Sequence, residues 1–189
     1  MSSPTSTSYR TWVPGKPKLT VLVGPPCGGK TTMQKAMVED GYRRVISATD
    51  RPRRNGEVSG EDYIFLPQGT LKHNFGSHVC RRTFYTENGC TWTYGIPYGV
   101  LDQVKDDPYQ WVVVIDPVGA EELIELFKPV RLSILVVEVT ANEETLIKRA
   151  MLRGDYIPEV SRRIIDDGLM LDRFRKKGYI DLMFDASRS

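Results

Sequence analysis

Eight consecutive residues, Gly24-Pro25-Pro26-Cys27-Gly28-Gly29-Lys30-Thr31, match the pattern G-x-x-x-x-G-K-[ST] at every defined position. Glycines let successive backbone N–H groups turn inward around an anion, at the positive end of the helix that follows. The Lys30 ammonium would then fall on the β- and γ-phosphates of a nucleoside triphosphate, and the Thr31 hydroxyl on Mg²⁺. Gly24 through Thr32 are therefore candidate ATP-binding residues, and Thr31 is a candidate metal ligand. A second cationic cluster lies downstream, where Arg51-Pro52-Arg53-Arg54 carries three guanidinium groups in four residues. Alone, it could be a solvated basic loop or a nucleic-acid patch. Beside a phosphate loop, guanidinium and phenol groups also suit the bidentate grip of a second phosphate.

These side chains need a frame. Residues 19–23 form a short apolar run with β-branched character, and the glycine loop interrupts it. From Lys30 the apolar positions Met33, Ala36 and Met37 follow a helical period, which Gly41 ends. Strand, glycine loop, helix is the context in which such a loop acts. Residues 111–115 and 133–139 are apolar nearly throughout, as strands covered on both faces of a parallel sheet require. Residues 120–127 and 143–153 read as helices, and 179–184 as a last short strand. The alternation predicts a three-layer α/β fold, a parallel sheet flanked by helices. Residues 47–94, rich in Gly, Thr and aromatics, predict hairpins and loops. The expected organisation is a flexible leader (1–17), a core (18–46 and 96–189) and an insert (47–95).

The chain has 189 residues, 40% of them hydrophobic and 26% charged, in keeping with one domain and one sizeable core. A net charge of +2 requires no nucleic-acid partner, and no apolar run reaches the ~20 residues of a membrane helix. The Ser-, Thr- and Pro-rich start lacks the apolar core of a signal peptide. Three cysteines make no disulfide framework, so a reducing, cytoplasmic setting is expected. His73, His78, Cys80 and Cys90 fit no familiar zinc spacing. Cys27 reads as a space-filler open to oxidation, and Trp92 could either stack on a base or pack the insert.

The block from Ser47 to Tyr63 resembles the guanylate kinase signature Ser-x-x-x-Arg-x-x-Arg-x-Gly-Glu-x-x-Gly-x-Asp-Tyr. Ser47, Arg51, Arg54, Gly56, Glu57, Gly60, Asp62 and Tyr63 all fall on it. Tyr94-Gly95, Asp116-Pro117-Val118-Gly119 and the segment from Lys148 to Gly154, with Arg163 beyond, continue the likeness in order. The resemblance implies that Arg51, Arg54, Tyr63 and Tyr94 grip the phosphate of an acceptor nucleoside monophosphate, beside Gly95. Ser47 and Asp116 would face its base, and Asp116 would join Thr31 at the metal. Lys30 with Arg149, Arg153 and Arg163, on a lid at about 149–163, would neutralise charge in the transition state. The implied reaction moves the γ-phosphoryl group of ATP to GMP or dGMP, with Mg²⁺ as cofactor. The expected partners are small-molecule nucleotides, with no nucleic acid and no membrane, on a monomer or weak homodimer.

The likeness weakens at the base. The family's Phe-x-Glu corresponds to Phe84-Tyr85-Thr86-Glu87, with Thr86 at the expected place and Glu87 one residue later. Ile96 replaces a hydroxyl residue after Tyr94-Gly95, and Val114 replaces a carboxylate two residues before Asp116. Two other functions stay open: a kinase for a different or modified base, such as a virus with altered DNA would use, and a non-catalytic binding module of the same fold.

Overall fold

A computed structural model describes residues 9–73, 76–85 and 89–187. In chain order the elements are β1 (Leu19–Val23), α1 (Lys30–Glu39), β2 (Arg43–Arg44), β3 (Ala48–Thr49), β4 (Ile64–Phe65), α2 (Thr70–His73), β5 (His78–Tyr85), β6 (Thr91–Pro97), α3 (Tyr98–Asp106), β7 (Trp111–Val114), α4 (Pro117–Phe127), β8 (Ile134–Thr140), α5 (Glu143–Arg153), α6 (Ile157–Lys176) and β9 (Leu182–Asp185). A five-stranded sheet runs β2-β7-β1-β8-β9 with every pairing parallel.

The apolar strands explain the three layers. Leu19, Val21, Val23, Trp111, Val113 and Val136 share one core with α3, α4 and α6, through residues such as Leu101, Leu123 and Phe174. Leu22, Val112, Val137 and Val139 form a second core, with Met33 and Met37 of α1 packed against it. Alternate residues of one strand thus feed opposite faces, the period-2 rule of a sheet covered on both sides. The chain leaves β1 toward β2 on one side and later reaches β8 on the other. Ligands of open α/β sheets bind at the carboxyl ends of strands around such a reversal.

The second sheet has the order β4-β3-β6-β5 and lies within residues 48–97. Antiparallel pairing sets Ala48 opposite Gly95 and Thr49 opposite Tyr94. A register shift between Val79 and Arg82, with Cys80 at φ 51°, bends β5. Asp50 is buried and fixes the insert from within, accepting the N–H of Thr93 at 2.6 Å and of Gly69 at 3.1 Å.

Several sequence expectations need correction. Residues 9–17, which the sequence places in a flexible leader, lie on the core: Arg10 N–H donates to Gly41 O and Trp12 N–H to Pro108 O, both at 2.6 Å. Arg43 lies near the Tyr9, Tyr109 and Trp111 rings, so half-buried cation–π contact holds this edge. The last strand begins at Leu182, because Tyr179 turns inward onto Phe174, 5.1 Å between ring centres. Helices α3 and α6 have no counterpart among the expected elements. The 20-residue α6 is anchored at its far end by Arg175, whose Nε donates to the fully buried Glu138 of β8 at 2.8 Å.

Candidate active site

The glycine loop joins β1 to α1. Gly24 has φ 145° and Gly29 φ 97°, backbone that favours glycine. A Cβ on Gly24 would stand 2.0 Å from the Val139 carbonyl oxygen, so only glycine lets the loop cross the end of β8. Cys27 is held at φ 60°, with its Sγ 3.5 Å from Arg153 Nη2 and 4.0 Å from Asp155 Oδ2. Lys30 Nζ folds back and donates to the carbonyls of Gly24 and Pro25, 2.6 Å each. Burial lowers its pKa to about 8, and nearby Asp167 opposes that fall. An arriving phosphate would replace both carbonyls and pay that cationic group in full negative charge.

The second grip is built around Arg51, only 6% exposed. Its Nη1 donates to Glu57 Oε2 at 2.7 Å and Nη2 to Glu57 Oε1 at 2.5 Å, while Nε donates to Tyr94 Oη at 2.9 Å. Burial works against its charge, but these bonds outweigh it and raise its pKa. Glu57 also accepts the Arg54 backbone N–H at 2.7 Å. Since Arg51 donates to the Tyr94 oxygen, the phenol must aim its own hydrogen elsewhere, and the open direction is the cavity. Tyr63 stacks edge-on to Tyr94, 5.7 Å between centres, and burial raises its pKa so it stays a donor. The expected direct grip by Arg51 needs correction: its fork is already closed on Glu57. The Arg54 guanidinium is exposed and makes no hydrogen bond to a described residue, so it is free to take a phosphate.

Lys30, Arg51, Arg54, Tyr63 and Tyr94 all line one cavity of about 390 Å³, together with Gly24, Ser47, Gly95 and Asp116. A second cavity, about 690 Å³, is lined by Thr31, Arg153 and Asp155, and Ser47, Arg54 and Tyr63 border both. Among the lid arginines, Arg163 faces the first cavity from α6, its guanidinium 5.6 Å from the Phe84 ring centre. Arg153 faces the second and donates through Nε to Asp155 at 2.6 Å. Arg149 departs from expectation. It sits beneath the loop, donating to Cys27 O at 3.3 Å and Ala186 O at 2.7 Å, and lines neither cavity. Its planar fork is engaged by main-chain carbonyls, which makes it a brace for the loop rather than a cover for phosphates.

The expected metal pair is split between the cavities, Thr31 in the second and Asp116 in the first. Asp116 caps α4 through Oδ1, accepting the N–H groups of Val118 (3.0 Å) and Gly119 (3.1 Å), with Arg82 Nε at 3.3 Å. These contacts leave Oδ2 for a ligand. No cluster of three His, Cys, Asp or Glu residues occurs among the described residues. That donor set still fits Mg²⁺, which keeps several waters and needs only one or two carboxylates beside nucleotide phosphates. No helix among the described residues is long and apolar enough to cross a membrane.

A family model for guanylate kinase matches residues 16–82. A guanylate kinase of Symbiobacterium thermophilum is 32% identical over 165 residues, covering 82% of this chain and 72% of that protein. The chain belongs to the guanylate kinase family. A guanylate kinase of Wolbachia pipientis wMel is 25% identical over 175 residues, 90% of this chain and 84% of that one. The crystal structure of the Anaplasma phagocytophilum guanylate kinase shares the fold, with a TM-score of 0.64 at 19% identity over 94% of this chain and 78% of that chain.

Apolar side chains make up much of the remaining lining of the first cavity. Ile96, 1% exposed, and Val114 both line it, as do Cys80, Phe84 and Trp92. Thr86 and Glu87 lie outside the described residues. Sequence reasoning missed three residues: Glu57, on the signature but given no task, and the α6 side chains Glu159 and Asp167, which face the cavity. Spacing four and eight residues along α6 would have found the second pair, had the helix been recognised.

Proposed function

We propose that this protein transfers the γ-phosphoryl group of ATP to GMP or dGMP, giving ADP and the diphosphate. The observation that carries this reading is the convergence of Lys30 with Arg54, Tyr63 and Tyr94 on one cavity. Two phosphate-binding groups of independent origin, one from the core and one from the insert, face each other there. The same reading gives Gly24 to Thr32 the ATP phosphates, and gives Ser47 and Asp116 the edge of the base. Phosphoryl transfer needs alignment and charge neutralisation rather than a covalent intermediate. Lys30, Arg153 and Arg163 supply fixed positive charge, and closure of the insert and the 149–163 segment would exclude water. Magnesium, when bound, screens the phosphates; Thr31 and Asp116 are the residues offered to it.

Ile96 and Val114 favour a second reading, in which the accepted base is not plain guanine. Losing a hydrogen bond designed for a base leaves a buried polar group unpaired, at about 1–3 kcal/mol. ADP formation with GMP, dGMP, AMP, dTMP and dCMP tests both, with Lys30→Ala as control. Preference for GMP or dGMP supports the first reading. Preference for another monophosphate selects the second, and turnover with none removes the kinase assignment in favour of a binding module.

A further inference from the structure

The buried stripe of α6 contains Val160, Asp167, Leu171 and Phe174. A carboxylate occupies a position whose spacing calls for an apolar residue, and such breaks in pattern concentrate at functional sites. Asp167 is 8% exposed, lines the first cavity, and accepts no hydrogen bond from any described residue. A buried carboxylate in that condition is costly unless a ligand completes it. One turn earlier, Arg163 lines the same cavity with its buried Nε also without a partner. Arginine and aspartate at i and i+4 ordinarily pair, yet the Arg163 Nε makes no hydrogen bond, to Asp167 or to any other described residue. The two opposite charges act on each other across the cavity wall without a direct hydrogen bond, and such a pair suits a ligand that carries both signs. The position within the cavity narrows the choice. Lys30 and Asp116 are the charged groups close enough to Asp167 to influence it from the core, and Lys30 marks the triphosphate end. The neighbouring strand end presents only the apolar Val114.

We infer that Asp167 is a ligand, directly or through water, of the divalent cation carried by the nucleotide phosphates, opposite Asp116. This inference rests on the kinase reading. In it, Arg163 meets phosphate oxygens while Asp167, one helical turn deeper, meets the cation they share. A carboxylate from α6 thereby serves where the end of β7 offers none.

Electron paramagnetic resonance of Mn²⁺ reads the site without turnover, in the presence of a saturating imido-linked ATP analogue. Asp167→Asn should weaken Mn²⁺ binding about tenfold or more. Asp166→Asn, which removes the same charge from the exposed neighbour paired with Arg162, should leave it unchanged. Equal Mn²⁺ affinity in wild type and Asp167→Asn, or equal losses in both variants, overturns the inference. Should Asp167→Asn fail to fold, the wild type supplies the second arm. Fe²⁺ with ascorbate and peroxide cuts backbone beside a bound metal. Analogue-dependent cuts near both residues 116 and 167 support the assignment, and cuts that spare α6 overturn it. Analogue binding in EDTA separates the two levels, since a chain that binds no analogue there loses the kinase reading itself.

Discussion

Raising the pH from 7 to 9 should weaken ATP binding and, over the upper part of that range, stabilise the empty protein. Both effects come from Lys30. Its pKa of about 8 in the nucleotide-free protein reflects loss of hydration on burial of the ammonium, which Asp167 only partly offsets. Lys30 is then protonated in about nine molecules of ten at pH 7 and about one in ten at pH 9. Bound phosphates hold the proton on, so above pH 8 binding must take up a proton that the empty site has released. The dissociation constant of an imido-linked ATP analogue should therefore rise about tenfold between pH 7 and 9. Titration calorimetry in saturating Mg²⁺ keeps the nucleotide charge constant and measures that rise directly. Lys30→Arg, charged throughout, should show a flat profile. Stability carries the opposite sign. The folded pKa lies below the unfolded value of 10.5, so between about pH 8 and 10.5 the unfolded chain binds more protons and this group's contribution rises with pH. Below pH 8 the burial penalty is present in full. A wild-type affinity that is flat from pH 7 to 9, or that falls in parallel with Lys30→Arg, would refute the assignment of Lys30 as the titrating phosphate ligand.

Glu57→Ala leaves the buried Arg51 cation without its bidentate partner and frees the Arg54 turn. A loss of about 3 kcal/mol is expected by denaturant unfolding, with a raised KM for the monophosphate and an unaltered KM for ATP. Gly24→Ala sets a methyl 2.0 Å from the Val139 carbonyl oxygen at φ 145°. It should abolish binding of the ATP analogue in calorimetry while monophosphate binding, held by the insert, persists.

How far the site could be read from sequence depended on whether a residue's task was local. The glycine loop was legible because its conformation is set within eight residues: positive φ at Gly24 and Gly29, then a helix start. Strands β1, β7 and β8 were legible because burial on both faces leaves little room for polar residues. Tyr63 and Tyr94 are 31 positions apart, and only the resemblance joined them; the structure does so by setting Thr49 opposite Tyr94 and Ala48 opposite Ile64. The resemblance puts Arg51 in the phosphate grip and gives Glu57 no task, whereas the structure closes the Arg51 fork on Glu57. Three arginines within four residues suggest free cations, whereas the fold gives one of them to Glu57.

The least legible element was α6, and the reason bears on chemistry. Its apolar stripe is interrupted at Asp167, and Gly168 follows at once, so both periodicity and propensity fail in the same turn. The helix persists because Arg175 anchors it to Glu138, and because Leu171 and Phe174 enter the main core. Tertiary packing therefore stabilises a helix whose local sequence is compromised beside the cavity. A buried carboxylate with no donor lowers stability wherever it sits. The next turns of α6 hold it in place regardless, and the cavity it faces is the one that gathers Lys30, Arg163 and Asp116. Asp167 hides α6 in the sequence for the same physical reason that sets the residue apart chemically: the position serves a ligand better than it serves the fold.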